Sequence, residues 1–294
     1  MPARGCTPSA QKRPLGDPHR KKFFKRLNGY GKRKRPISKN HLKFERCTID
    51  GIPTLSCSQR DAGPKPLILL AHAFNGSKEY WQARLETLAE SGSYAVAFDN
   101  KGHGQRRESG FKARVFSEGR LNVYEVRRLI KETADDVPKL INHFVAKEQV
   151  DAARIGMIGV SMGGFITYRA LVIEERIKVA ALIIASPYFD EVPRDVPTVD
   201  RPEIQQTLEA YSREYSPGYH LDRFYPRAIL IQTGERDNHI DGKRVEQFYR
   251  ELAPYYRERP DNLGFAMEEN TAHEFTESMW DKAAKWLQKH LSTV

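Results

Sequence analysis

Residues 154–172 read RIGMIGVSMGGFITYRALV. RIGMIGV is a short apolar run typical of a buried strand, and SMGGFITYRALV has the pattern of a helix. GVSMGG (159–164), at their junction, matches G-x-S-x-G. Between a strand and a helix, this motif places the serine on a sharp, strained turn from which its hydroxyl projects at the top of the sheet. Ser161 is therefore the predicted nucleophile.

A glycine-rich turn of this kind has a second interpretation. It can simply pack tightly, or cradle a phosphate group at the helix N-terminus. The turn has neither the lysine of a Walker motif nor a G-x-G-x-x-G spacing. The nucleophile interpretation is therefore favoured.

Strands and helices alternate on both sides of this turn. LKFERCTI and PTLSCSQ are predicted to form a hairpin that turns at Asp50-Gly51. The other predicted strands are 66–72, 94–99, 179–186, 227–234 and 263–269, and the predicted helices are 78–91, 241–253, 275–290 and a long stripe over 126–145 kinked at Pro138. This alternation predicts an α/β fold with a mostly parallel sheet and helices on both faces. Ligands bind such sheets at the carboxyl ends of the strands.

The acid and the base are predicted from chain order, which is serine, then Asp or Glu, then His. Asp237 lies three residues past Gly234, just beyond the next strand. Glu235 is too close to that strand, and Asp241 is the expected cap of the following helix. His273 lies between the last strand and the last helix. Asp237 and His273 are therefore the predicted partners of the serine.

From about Leu42 to its end, the chain resembles the α/β-hydrolase superfamily. The resemblance rests on HAFNGS (72–77), DNKGHG (99–104), GVSMGG, GERD (234–237) and TAHEF (271–275), in that order. It is strongest to compact bacterial carboxylesterases of the YitV/YjfP and dienelactone-hydrolase-like group. Dienelactone hydrolases use a cysteine nucleophile, and Ser161 departs from that in favour of ester hydrolysis. The group also resembles the catalytic domain of prolyl-oligopeptidase-type peptidases, but the chain has no room for their propeller.

The resemblance implies an oxyanion hole made by two backbone N–H groups. Met162, after the nucleophile, provides one, and Phe74, at the third position of the loop after the 66–72 strand, provides the other. Ala73 stands where related hydrolases usually carry glycine. His72 is expected to order this loop. His103 is expected to order backbone, with a minor role in substrate contact.

A small carboxylesterase that forms an acyl-enzyme on Ser161 is the function that the resemblance implies. An exopeptidase or amidase with the same triad stays open, and so does a non-catalytic ligand-binding module, although such modules typically lose a triad member. No metal or organic cofactor is expected, because the sequence has no Cys/His spacing typical of a metal site. The expected partner is a small-molecule ester.

Residues 187–226 are predicted to be irregular or short-helical and to form a small cap over the pocket. Their aromatic side chains could line an acyl or alcohol pocket, or form a small core of the cap itself. These residues are Tyr188, Phe189, Tyr211, Tyr215, Tyr219 and Phe224.

Most of the net positive charge lies at the N-terminus. Residues 1–43 hold fourteen Lys or Arg and one acidic residue, so their local charge is +13 and the rest of the chain carries −3 of the total of +10. Residues 1–40 lack periodicity and are predicted to be a disordered extension to a hydrolase domain at 41–294. This extension is a solvated tail, a gene start set too far upstream, or a contact with nucleic acid or an anionic surface.

The sequence also favours a cytoplasmic protein. Its three cysteines are too sparse for a disulfide framework, and buried free thiols are expected. No apolar run approaches the roughly 20 residues that span a bilayer, and no apolar segment typical of a secretory signal follows the basic N-terminus.

Overall fold

A mixed sheet runs through the centre of the computed structural model, which describes residues 41–60 and 63–292. The strands of this sheet are β1 (Leu42–Ile49), β2 (Ile52–Gln59), β3 (Lys65–Ala71), β4 (Tyr94–Phe98), β7 (Val150–Val160), β8 (Ile177–Ile183), β9 (Ala228–Gly234) and β10 (Leu263–Glu268), and β5 (Phe116–Ser117) and β6 (Arg120–Leu121) form a separate hairpin. In this part of the chain, the eight strands lie in the order β1-β2-β4-β3-β7-β8-β9-β10. β2 pairs antiparallel with both β1 and β4, and all the other neighbouring pairs in the sheet are parallel.

Helices cover both faces of this sheet. Leu67 and Leu69 of β3 belong to one buried cluster, and Ile68 and Leu70 belong to the other, because successive side chains of a strand point to opposite faces. The first cluster includes side chains of the helices over 123–134, 137–145, 162–173 and 242–252, and the second includes those of the helices over 82–90 and 277–291. The helices are α1 (Gln82–Glu90), α2 (Phe111–Val115), α3 (Val123–Ala134), α4 (Val137–Val145), α5 (Met162–Ile173), α6 (Pro202–Tyr215), α7 (Gly242–Leu252) and α8 (Glu277–Leu291).

The predicted hairpin turns where the sequence placed it. Asp50 and Gly51 both have positive φ, 47° and 77°, as a two-residue type I′ turn requires. Cys47 lies opposite Thr54 in the register, so it does not face Cys57. Cys47 Sγ lies 3.0 Å from Thr54 Oγ1, and Cys57 is buried. The expectation of a buried thiol is therefore wrong for Cys47, which is exposed.

The predicted helical stripe over 126–145 forms two helices. α3 ends at Ala134, and α4 begins at Val137 with Pro138 in its first turn. Proline lacks the N–H that a helix interior needs, and its ring clashes with the carbonyl of the preceding turn, whereas the first turn tolerates it. The expectation of one helix kinked at Pro138 is therefore wrong, because the chain forms two separate helices here.

Segment 187–226 packs mainly on the body of the domain. Phe189 and Phe224 are fully buried, and they contact α5 and α7 side chains of the main cluster, Phe165 and Phe248, at ring-centroid distances of 6.4 and 5.2 Å. Tyr219, by contrast, is 51% exposed. Phe189 and Phe224 therefore form neither a separate cap core nor a pocket wall, and both expectations are wrong for them.

The sequence also predicts an N-terminal extension and the absence of a membrane-spanning segment. The predicted N-terminal extension, residues 1–40, lies outside the described residues. Within the described residues, none of the helices combines the length and the apolar character that a membrane crossing requires.

Candidate active site

The turn at Ser161 has the strained geometry that its motif predicts. Ser161 has φ 53° and ψ −117°, a conformation that non-glycine residues rarely adopt, and α5 begins at the next residue. The turn needs glycine on both sides of the serine. An added Cβ at Gly159 would lie 2.0 Å from the Gly163 carbonyl oxygen, and one at Gly163 would lie 2.0 Å from the Ala71 carbonyl oxygen. Close contact of α5 with β3 and β7 therefore fixes the serine at the carboxyl edge of the sheet.

The structure brings the three predicted side chains into one hydrogen-bonded row. Ser161 Oγ lies 2.8 Å from His273 Nε2, and His273 Nδ1 lies 2.8 Å from Asp237 Oδ2. The side chains of His273 and Asp237 are 3% and 0% exposed. The backbone N–H groups of His239 and Ile240 donate to Asp237 Oδ1 at 2.8 and 2.9 Å, so both carboxylate oxygens are engaged.

The two competing carboxylates have other partners. Glu235 is exposed and accepts a hydrogen bond from the Asn270 N–H at 2.7 Å. Asp241 caps α7, where it accepts from the Lys243 and Arg244 N–H groups. The hydrogen bonds of the described residues therefore join Asp237, and neither of its competitors, to the imidazole.

The two predicted oxyanion donors are backbone N–H groups at this same edge. Phe74 follows β3, and Met162 is the first residue of α5. Within residues 41–60 and 63–292, neither N–H donates a hydrogen bond to another residue. Both groups are thus available to a ligand oxygen.

His72 orders the loop that carries Phe74. Its Nε2 accepts the Asn100 N–H at 3.1 Å, so Nδ1 carries the proton and donates to the Ala73 carbonyl at 2.8 Å. The Asn100 side chain donates in turn to the His72 carbonyl at 2.8 Å. Burial lowers the pKa of His72 to about 4, so this imidazole is neutral near pH 7.

The DNKGHG loop lies against the first one. His103 is fully buried beside the Phe74 ring, with centroids 5.0 Å apart, and burial lowers its pKa to about 3. Its Nδ1 lies 2.8 Å from the Lys101 carbonyl. The expected minor contact of His103 with substrate is therefore wrong, because no part of this side chain is accessible. Lys78 and Asp99 form a buried ion pair at 2.9 Å below the same loops.

Comparison with known proteins identifies the family. Residues 62–279 match the family model described as Serine aminopeptidase, S33. The chain belongs to this family. YitV of Bacillus subtilis (strain 168), an esterase by name, is 25% identical to this S33 member over 265 residues, which cover 85% of this chain and 100% of YitV.

Solved structures share the fold of this chain. TT1662 from Thermus thermophilus has a TM-score of 0.68 at 24% identity, with 86% of this chain and 99% of TT1662 covered. An acetyl xylan esterase from Paenibacillus sp. R4 has a TM-score of 0.64 at 16% identity, with 87% of each chain covered. The predicted α/β-hydrolase fold and the resemblance to the YitV group are therefore confirmed, and the S33 member is a hydrolase.

His239 is not among the site residues that the sequence predicts. The ring of His239 lies against the ring of His273, with centroids 4.4 Å apart and planes inclined by 31°. Its Nδ1 lies 2.8 Å from Asp195 Oδ1. The Asp-x-His spacing from Asp237 to His239 was a signal, but Asp195 lies 44 positions away in the chain, and only the fold brings it here.

In the described part of the chain, no group of three or more His, Cys, Asp or Glu side chains is arranged to hold a metal ion.

Proposed function

We propose that this chain hydrolyses carboxylic esters of small molecules through an acyl-enzyme on Ser161. The observation that carries the proposal is the unbroken row from Ser161 Oγ through His273 to Asp237, with 2.8 Å at each contact, on a strained strand-to-helix turn. This geometry is that of a nucleophile, a base and a carboxylate that orients the base.

Acylation begins when Ser161 Oγ attacks the ester carbonyl carbon while its proton passes to His273 Nε2. The carbonyl oxygen gains negative charge, which the Phe74 and Met162 N–H groups stabilise. His273 then gives the proton to the alkoxide oxygen, the carbon–oxygen bond breaks, and the alcohol leaves. The acyl group stays on Oγ as an ester.

Deacylation repeats these steps with water as the nucleophile. His273 removes a proton from water, and the resulting hydroxide attacks the acyl carbon. The bond between the acyl carbon and Ser161 Oγ then breaks, the proton returns from His273 to Oγ, and the carboxylic acid leaves. Asp237 keeps Nδ1 protonated and stabilises the imidazolium in both halves of the reaction. These steps use side chains and backbone groups of this chain alone.

Two observations bear on the choice between ester and peptide substrates. The family description names an aminopeptidase, whereas YitV is an esterase by name. The same triad serves both reactions, so the leaving group distinguishes them. The complete triad disfavours the alternative of a non-catalytic ligand-binding module.

A comparison of matched leaving groups tests the proposal. The full chain is assayed with p-nitrophenyl esters of graded acyl length and, in parallel, with aminoacyl p-nitroanilides, each with Ser161→Ala as the control. We expect turnover of at least one short acyl ester that the variant lacks, with kcat/KM at least 100-fold above that of the anilides. Faster turnover of the anilides would reassign the chain as an exopeptidase.

A further inference from the structure

A short segment crosses the loop that carries the acid. We call residues 189–195 the strap and residues 237–241 the acid loop. The Arg194 N–H donates to the Asn238 carbonyl at 3.0 Å, and the Arg194 guanidinium donates to Asp241 at 3.1 Å. The Asp241 N–H donates to the Glu191 carboxylate. The strap and the acid loop are therefore joined at several points.

The other end of the strap is fixed to the body of the domain. Arg127, on α3, donates through Nε to the Phe189 carbonyl at 3.1 Å and through Nη2 to the Glu191 carbonyl at 2.7 Å. Its guanidinium lies 4.0 Å from the ring centroid of Phe165, on the helix that follows the nucleophile. Arg127 is 6% exposed, so these contacts are shielded from solvent. The strap is thus held in one position on the domain, and Asp195 lies at its end.

The hydrogen-bonded pair of Asp195 and His239 lies directly beside the base. His239 Nδ1 lies 2.8 Å from Asp195 Oδ1, and the His239 ring packs against the His273 ring with a centroid distance of 4.4 Å. The His239 N–H also donates to Asp237, so a single residue contacts both the acid and the base. No step of the proposed mechanism uses His239 or Asp195.

We propose that His239 is a positioning residue for His273, and that Asp195 holds the His239 ring in place and adds negative charge near the imidazolium. This inference rests on the proposed function, because it takes His273 as the base. An imidazole hydrogen-bonded at two opposite nitrogens can still tilt about the line that joins them. A ring stacked on one face restricts that tilt, and a small displacement of a base costs up to about 100-fold in rate.

Burial favours the neutral form of the His239 ring. The titratable groups that face it are His273, Asp195 and Asp237. Burial lowers the pKa of His239, the positive charge of His273 lowers it further, and the hydrogen bond to Asp195 opposes both. A neutral ring beside His273 does not repel the imidazolium of the transition state, and the Asp195 carboxylate attracts it.

Three variants of the full chain separate packing from charge. His239→Ala removes the ring, His239→Phe keeps an aromatic ring without the hydrogen bond, and Asp195→Asn keeps size without charge. His143→Ala, an exposed histidine on α4, is the matched control. Each protein is assayed for kcat and KM on its best p-nitrophenyl ester and for kcat/KM against pH. Thermal melting and fluorophosphonate labelling of Ser161 are measured in parallel.

We expect His239→Ala to lower kcat by roughly 10- to 100-fold, with KM changed less than about threefold. His239→Phe should recover most of that kcat. Asp195→Asn should move the acid limb of the kcat/KM profile to lower pH by several tenths of a unit, because the base loses a neighbouring negative charge. His143→Ala should match wild type.

Equal losses in His239→Ala and His239→Phe, or a His239→Ala enzyme within twofold of wild type, would overturn the positioning role. So would an Asp195→Asn profile with an unmoved acid limb. If His239→Ala melts early, His239→Phe and Asp195→Asn decide the question. Wild-type protein that is not labelled at Ser161 would contradict the proposed function instead, so the two failures are distinguishable.

Discussion

Ser161 combines an unfavourable backbone conformation with a hydrogen bond to a buried base. A φ of 53° on a non-glycine residue costs on the order of 1–3 kcal/mol, which the surrounding structure must offset. The Ser161 N–H donates to the Ile183 carbonyl of β8 at 2.9 Å, and Phe165 donates to the Ser161 carbonyl at 3.1 Å. The strain is therefore held by the sheet on one side and by the helix on the other.

Asp237→Asn tests the assignment of the acid. An asparagine at this position no longer specifies the productive imidazole tautomer, so kcat should fall by roughly 10⁴-fold. Glu235→Gln and Asp241→Asn are matched controls with other partners, and steady-state assays should show little change in kcat for either. The double variant Asp237→Asn/His273→Ala should be hardly worse than His273→Ala, because the two residues act as one unit. Losses that multiply would mean that the two residues do not work as a pair.

His103 makes the stability of the domain depend on pH. Burial lowers its pKa from about 6.5 to about 3, so between these values the unfolded chain binds a proton that the folded chain does not. The contribution of His103 to the free energy of unfolding is therefore fully present above about pH 6.5 and is lost as the pH falls from about 6.5 to about 3. In urea unfolding at pH 7 and pH 5, wild type should lose about 2 kcal/mol more than His103→Phe. Equal losses would mean that His103 is protonated in the folded state.

At the scale of elements, the site depends on how closely α5 approaches β3. Gly163→Ala places a methyl group 2.0 Å from the Ala71 carbonyl oxygen, so the helix must shift. We expect a destabilisation of about 1–3 kcal/mol and at least a tenfold loss of kcat. Gly242→Ala, whose Cβ would meet Thr233 at an ordinary 3.5 Å, is the control and should keep both the wild-type stability and the wild-type kcat. Wild-type stability and activity in Gly163→Ala would show that the turn at Ser161 tolerates a larger distance between α5 and β3.

The sequence predicted most strands of the parallel part of the sheet because they are compact apolar runs. The elements that it predicted poorly depend on contacts between distant parts of the chain or on a weaker signal. α6 (Pro202–Tyr215) was expected to be irregular or short-helical, although Pro202 in its first turn is a helix-start signal. The site was predicted from motif order, since Ser161, Asp237 and His273 each follow a strand. The His239–Asp195 pair was not, because no motif relates the two residues.

At the scale of the whole molecule, the positive charge is concentrated near the N-terminus. The described sheet and both buried clusters are built from residues at or beyond Leu42. The basic excess of +13 lies in residues 1–43. A role of the N-terminal segment in binding nucleic acid or an anionic surface stays a prediction, and so does a cytoplasmic location.

Deletion of residues 1–40 tests the predicted domain boundary. Because the segment lacks a periodic apolar face, we expect kcat and KM for ester hydrolysis to stay within about twofold of the full chain. Binding to a random DNA duplex, if present, should weaken steeply with salt and disappear in the truncated protein. A truncated protein that unfolds would place the domain boundary further upstream, and DNA retention without the segment would remove the basis for a basic tether.

The acyl-enzyme itself can be observed. Wild type and Ser161→Ala are mixed with a slowly deacylating p-nitrophenyl ester, quenched in acid, and mapped by peptide mass spectrometry. We predict a burst of about one p-nitrophenol per wild-type molecule and an acyl group on the peptide that contains Ser161, with both absent from the variant. An acyl group on another residue, or turnover by Ser161→Ala at the wild-type rate, would contradict the mechanism.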